Sequence, residues 1–198
     1  MTHAPPVARP GDVCILLEPD AAEIPTVRTL QGELQTHYGG DPQQRVHFTC
    51  QRFALPDPTQ LLRVVHAMKT NLAPIGPFPV HARRLELVEH PFWEFSVLRW
   101  DLERSSPMWN FARAVQYALL QAGMRPHYPC DDGWRPHVTA LEAIPSPNNI
   151  YVNGHHQGQR LYTARRAVLS QIQPGKRFQI LASIDLLPRR RAVALDAN

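Results

Sequence analysis

Apolar and polar positions along the chain divide it into short segments of distinct period. Residues 12–17 form a continuous apolar run, the pattern of a strand covered on both faces. After a proline-bounded turn, Val27, Leu30 and Leu34 recur at helical spacing and stop at Gly39-Gly40, which predicts a helix over residues 26–38. Residues 45–53 alternate as a strand. Pro58 opens a second helix, with Leu61, Leu62, Val65 and Met68 on one stripe up to Leu72. Residues 80–89 and 92–102, with a turn at His90-Pro91, read as an antiparallel pair. Ser105 or Ser106 caps a third helix that Pro107 begins and that runs through Phe111, Val115 and Leu119 to Gly123. A loop over 125–133 feeds another alternating strand at 135–141. A long polar loop, 144–160, follows. Two apolar-rich runs, 162–173 and 177–187, meet at the turn signal Pro174-Gly175. Helices interspersed with strands in this order predict an α+β fold with sheets covered by helices on one side.

Composition narrows the class. Apolar residues are 43% and charged ones 19%, which is globular rather than disordered. At 198 residues the chain is long enough for one ample core or two small lobes sharing a groove, and a single domain over 1–198 is expected, with flexible ends at 1–11 and 188–198. Twenty prolines predict stiff connections. The net charge of +4, partly from Arg189-Arg190-Arg191, biases the protein toward phosphate-bearing partners. Cys14, Cys50 and Cys130 are odd in number and unpaired in spacing, so reduced thiols are expected. Residues 1–10 lack the apolar run of a secretion signal, and no run of about 18 apolar residues could span a membrane. The expectation is a cytoplasmic protein with no membrane partner.

Two of the predicted strands carry the same polar pattern. Arg45-Val46-His47-Phe48-Thr49 and Arg135-Pro136-His137-Val138-Thr139 both read Arg-x-His-x-Thr. Side chains alternate across a strand, so Arg45, His47 and Thr49 would share one face, as would Arg135, His137 and Thr139, with apolar residues packed behind. By the same parity Arg52 should face the core. Two histidines titrating near neutrality can divide acid and base work, while a threonine hydroxyl two residues on can donate to a phosphate oxygen.

Paired His-x-Thr-x motifs, here His47-Phe-Thr-Cys and His137-Val-Thr-Ala, resemble the signature of the two-histidine (2H) phosphoesterases, which include the bacterial and archaeal RNA 2',3'-cyclic phosphodiesterases, also called 2',5'-RNA ligases. The resemblance runs from about Val13 to Leu187. It implies two pseudo-symmetric lobes of antiparallel sheet flanking a central groove, with helices outside and one motif from each side. It implies His47 and His137 as catalytic, Thr49 and Thr139 as phosphate-binding, and no cofactor. Many members related to the RNA enzymes carry an arginine shortly after the second threonine, where this chain has Leu141-Glu142-Ala143.

The expected activity is therefore metal-independent cleavage of a 2',3'-cyclic phosphate, with 2',5'-RNA ligation as its reverse, on RNA ends or nucleotides and by a monomer. The alternatives are a nucleotide- or RNA-binding module without turnover, and the same chemistry on a small cyclic nucleotide such as an ADP-ribose cyclic phosphate. Arg45, Arg135, His127 and Tyr128 are further candidates for touching substrate, the last two because their loop leads into the second motif. Arg83, Glu86, Arg99 and Asp101 read as solvated faces or cross-strand pairs. His66 reads as a partly buried histidine beside an apolar stripe. No metal is expected at His155-His156, which has no carboxylate-rich motif beside it.

Overall fold

The computed structural model describes residues 8–90, 95–128, 130–144, 152, 154, 156–174 and 177–187. The first strand, β1 (Asp12–Pro19), is buried on both sides, as its continuous apolar run requires: Val13, Ile15 and Leu17 enter the main core, and Cys14 and Leu16 a smaller cluster with Val168. Helix α1 (Ile24–Tyr38) follows a single 3-10 turn whose entry is capped by the Asp20 carboxylate accepting from the Ala22 amide. Its buried stripe is Val27, Leu30, Gln31 and Leu34. Gly39 ends it with positive φ, and Gly40 allows the next close approach. A Cβ at Gly40 would lie 2.5 Å from the Glu142 carbonyl oxygen.

That approach seats a two-residue strand, β2 (Asp41–Pro42), which the sequence pattern does not predict. The remaining elements fall near their predicted places: β3 (Phe48–Ala54), α2 (Leu61–Leu72), β4 (Phe78–His90), β5 (Phe95–Leu102), α3 (Ser106–Gln121), β6 (His137–Ile144), β7 (Arg160–Ile172) and β8 (Phe178–Asp185). Both motif strands begin later than alternation predicts, at Phe48 and His137, so Arg45 and Arg135 precede their ladders. Residues 1–7 and 188–198 of the expected terminal tails, the Pro91 end of the β4–β5 turn, His155, Lys176 and most of the 144–160 loop lie outside the described residues.

All pairings are antiparallel, and the path is β1-β3-β6-β5-β4-β7-β8, with β2 beside β6 and a further β1–β7 pairing. Two lobes result. One is β3, β1, the C-terminal part of β7 and β8, and the other is β6, β5, β4 and the N-terminal part of β7. Strand β7 serves both because its residues 160–164 pair with β4 and its residues 164–171 with β1. The motif strands β3 and β6 meet in a single pair, Phe48 with Val138, and then diverge.

The helices pack on the sheet face that carries Phe48, Phe53, Trp100 and Val138. The motif side chains point to the opposite face, which leaves that face for chemistry. Trp134, immediately before β6, packs its ring on Phe48 at 5.7 Å and on Trp109 of α3 at 5.5 Å between centroids, which anchors the entry to the second motif. Among the described residues no helix is long and apolar enough to cross a membrane.

Candidate active site

The site is built around the Phe48–Val138 pair, where β3 of one lobe meets β6 of the other. Phe48 and Val138 face the core, so the residues on either side of each, His47 with Thr49 and His137 with Thr139, face the open side. Antiparallel pairing sets the first histidine beside the second threonine and the reverse, a diagonal of two imidazoles about a local two-fold.

Each imidazole is held the same way. His47 Nδ1 lies 2.7 Å from the Arg45 carbonyl oxygen, and His137 Nδ1 lies 3.2 Å from that of Arg135. A carbonyl only accepts, so Nδ1 carries the hydrogen in both, and Nε2 is left with a lone pair when the ring is neutral. Burial lowers the pKa of His47, and the Arg45 charge adds to this, while the Arg45 carbonyl bond and Glu18 oppose it. Burial is also the main cause at His137, followed by the Arg99 charge and, more weakly, by His47; Glu86 and the Arg135 carbonyl bond oppose it, and the pKa comes to about 4. His137 therefore senses the charge of His47.

A β-bulge stands immediately after each motif threonine. Ile15 pairs with Gln51 and Leu16 with Thr49, so Cys50 is the extra residue in β3. Leu98 pairs with Leu141 and Arg99 with Thr139, so Ala140 is the extra residue in β6. A bulge reverses the alternation beyond it. Cys50 and Gln51 are consequently both buried, as are Ala140 and Leu141, and Arg52 returns to the open face beside Cys14, its partner in β1. This corrects the expectation that Arg52 faces the core. The equivalent position in the second motif is Glu142.

Arg52 gathers two of the loop candidates. Its Nε donates to His127 Nδ1 at 3.2 Å and lies 3.4 Å from the Asp12 carboxylate, and its guanidinium lies 5.3 Å from the centre of the Tyr128 ring. Burial lowers the His127 pKa and raises that of Tyr128. Arg45 ion-pairs with Glu18, lies over the Phe178 ring at 5.2 Å, and leaves Nη2 buried with no hydrogen-bond partner in the described residues. Phe178 itself meets His47 edge-on at 5.4 Å. Arg135 is turned back on its own loop, where Nη1 donates to the carbonyls of Asp132 and Trp134.

Sequence reasoning missed Arg99, Phe178 and Arg52. Arg99 is the direct cross-strand partner of Thr139, and Glu86 is in turn the partner of Arg99. Alternation along 95–102 puts Arg99 and Asp101 on one face, but only the pairing of β5 with β6 puts that face beside the motif. His156, half of the adjacent histidine pair, accepts from the Trp100 indole at 3.1 Å and meets Glu33 at 3.1 Å. Among the described residues no three His, Cys, Asp or Glu side chains are grouped to hold a metal ion.

No protein-family model matches the sequence, and no curated protein matches it. Solved structures do match. TT0787 of Thermus thermophilus superimposes with a TM-score of 0.64 at 14% identity, over 90% of this chain and 100% of that one. E. coli LigT complexed with 3'-AMP gives 0.54 at 13% identity, over 91% and 100%. Kluyveromyces marxianus Usb1 with uridine monophosphate gives 0.54 at 11%, over 90% and 99%. A phosphoesterase of known structure gives 0.58 at 13% identity, over 90% and 100%. The chain shares the fold of these four structures, at identities of 11–14%. Its two lobes meet where this chain carries its two His-x-Thr motifs.

Proposed function

We propose that the protein is a phosphoesterase that opens 2',3'-cyclic phosphates on nucleotides or RNA ends, with His47 and His137 as the acid–base pair. The observation that carries this reading is the meeting of the two motifs at Phe48 and Val138, with both Nδ1 atoms committed to carbonyls and both Nε2 atoms left for proton transfer. In hydrolysis one neutral imidazole takes a proton from the attacking water. The other, protonated, gives one to the departing ribose oxygen, and the roles exchange in the reverse, ligating direction.

Thr49 and Thr139 hold the non-bridging oxygens. Arg99, one strand from Thr139, and Arg45, beside His47, offset the charge that builds on phosphorus. Arg99 acts from β5 in a chain whose second motif carries Glu142 where an arginine would resemble the RNA enzymes. The matched LigT and Usb1 structures hold nucleotides, 3'-AMP and uridine monophosphate, which favours a nucleotide or RNA substrate here. His127 and Tyr128, drawn together by Arg52 beyond Thr49, border the same face as candidate substrate contacts. The protein acts as a cytoplasmic monomer, one chain supplying both motifs.

The mechanism needs no metal, because protons and cationic side chains do the activating. Nucleoside 2',3'-cyclic phosphates and 2',5'-linked dinucleotides, incubated with excess chelator, should be turned over to nucleoside monophosphates or cleaved products. Binding without turnover would favour a nucleotide-binding module. Turnover confined to an ADP-ribose cyclic phosphate would keep the chemistry and change the substrate.

A further inference from the structure

The two walls beside the motifs differ in chemistry. On the β3 side the open face carries an apolar patch alongside the Arg45–Glu18 pair and Arg52: buried Leu16, Val168 and Cys14 pack with the partly buried Ile172 and Phe178, and Ile180 is 61% exposed. On the β6 side it is charged. There, register carries one row from His137 through Asp101 to Arg84 and a second from Thr139 through Arg99 to Glu86.

The charged wall is layered. Asp101 is buried, with side-chain exposure of 3%, and lies beneath Arg83 at 3.7 Å and Arg84 at 3.3 Å, each of which is 53% exposed. Asp101 Oδ2 accepts no hydrogen bond among the described residues, so it anchors the two cations by charge. Arg84 also meets Glu86 at 2.8 Å, and Glu86 holds Arg99 through Nε and Nη2 at 2.9 and 2.6 Å. A bulge between Ala82 and Arg84 lets two consecutive arginines reach the same carboxylate. Three guanidiniums stand against two carboxylates, which leaves one net positive charge, and the guanidiniums of Arg83 and Arg84 are the groups most open to an approaching ligand. A plain cross-strand salt-bridge ladder would balance, and would not bury its acid under two exposed cations.

Strands lie about 4.8 Å apart, so β4 is roughly 10 Å from β6. That is too far for Arg83 or Arg84 to touch a phosphate between the two histidines. It suits a second phosphate on the same substrate. We infer that Arg83 and Arg84 form a subsite for a phosphate on the 5' oxygen of the nucleoside whose 2',3'-cyclic phosphate is opened, with the base laid on the apolar patch by Phe178. The inference rests on the phosphoesterase reading and adds to it the substrate class. A 5'-phosphate monoester on a mononucleotide and the internucleotide diester of an RNA end present the same chemistry at this position.

The test compares kcat/KM for three substrates: a nucleoside 2',3'-cyclic phosphate, its 5'-phosphorylated form, and a dinucleotide ending in the same cyclic phosphate. The wild type should prefer a substrate with the second phosphate by roughly 10- to 100-fold, the weight of a charge-assisted contact. In the double variant R83Q/R84Q that ratio should fall to near one, and because it is a ratio, a general loss of folded protein cancels. A larger gain for the monoester identifies a small nucleotide as source, and a larger gain for the dinucleotide an RNA end. A wild-type ratio near one, or a ratio unchanged in R83Q/R84Q, overturns the subsite. If none of the three is turned over, the reading that the protein opens nucleoside 2',3'-cyclic phosphates fails separately. The subsite is then read by calorimetric affinity for adenosine 2',5'-bisphosphate against 2'-AMP, where equal affinities overturn it and a preference lost in R83Q/R84Q supports it.

Discussion

At the scale of single residues, the two imidazoles are matched in how they are held and differ in what surrounds them. Each Nδ1 is fixed by the carbonyl two positions back, so geometry alone does not tell acid from base. If the pair divides proton transfer, His47→Ala and His137→Ala should each lower turnover of a nucleoside 2',3'-cyclic phosphate by roughly 10² to 10⁴-fold while nucleotide affinity changes much less. A single variant with full activity would exclude the pair. The environments do differ: Arg99 bears on His137, with Glu86 behind it, whereas Arg45 and Glu18 bear on His47. Replacing Arg99 with glutamine removes a cation that disfavours the imidazolium. The His137 pKa should then rise toward the ordinary histidine value, followed by its ring resonances in an NMR titration. The same variant should lose kcat, since the cation that lowers the free histidine's pKa is the one offered to the transition state.

At the scale of elements, what could be foreseen followed from period. The helices were legible because Val27, Leu30 and Leu34, or Phe111, Val115 and Leu119, repeat at helical spacing and end at Gly39 and Gly123. The motif faces were legible because alternation holds from His47 to Thr49 and from His137 to Thr139. It fails one residue later, at the bulges on Cys50 and Ala140, and a bulge leaves no mark in a count of apolar and polar positions. Parity alone therefore sends Arg52 to the wrong face. Arg99 and Phe178 were illegible for another reason: their own strands were predicted, but which strand lies beside which is set by the global path of the sheet. The β2 strand belongs to the same class, since it exists only because Gly40 lets the chain come against Glu142. Gly40→Ala should accordingly destabilise the protein by about 1 to 3 kcal/mol, from left-handed strain and the backbone clash, visible as a lower midpoint in denaturant. Its effect should fall on the β6 side, where β2 pairs with Leu141 and Glu142. Gly123→Ala shares the positive φ but meets nothing within 4 Å, and should cost less.

At the scale of the molecule, the fold and the chemistry make opposite demands on the histidines, and pH separates them. The folded protein holds both pKa values below the ordinary 6.5, with His137 at about 4. In the window between those values the unfolded chain binds protons that the folded one does not. Stability should therefore fall as pH drops from about 6.5 toward 4. For His137, which keeps some contact with water, the loss is on the order of 1 to 2 kcal/mol. His137→Gln should flatten that part of the profile, measured as denaturant midpoints across pH. Catalysis needs the reverse, one imidazole charged while the other is neutral, and a phosphate between them supplies the anion that favours the charged form. Both rate profiles should be bell-shaped, their limbs belonging to the pair rather than to either residue. The profile of kcat/KM reports the free protein, so its alkaline limb should lie at low pH, where the acid loses its proton early. The profile of kcat reports the substrate complex, in which the phosphate has raised the pKa values, so its bell should be displaced to higher pH. Coincident profiles would mean that the bound phosphate does not reach the histidines, and the two-histidine mechanism would then have to be abandoned.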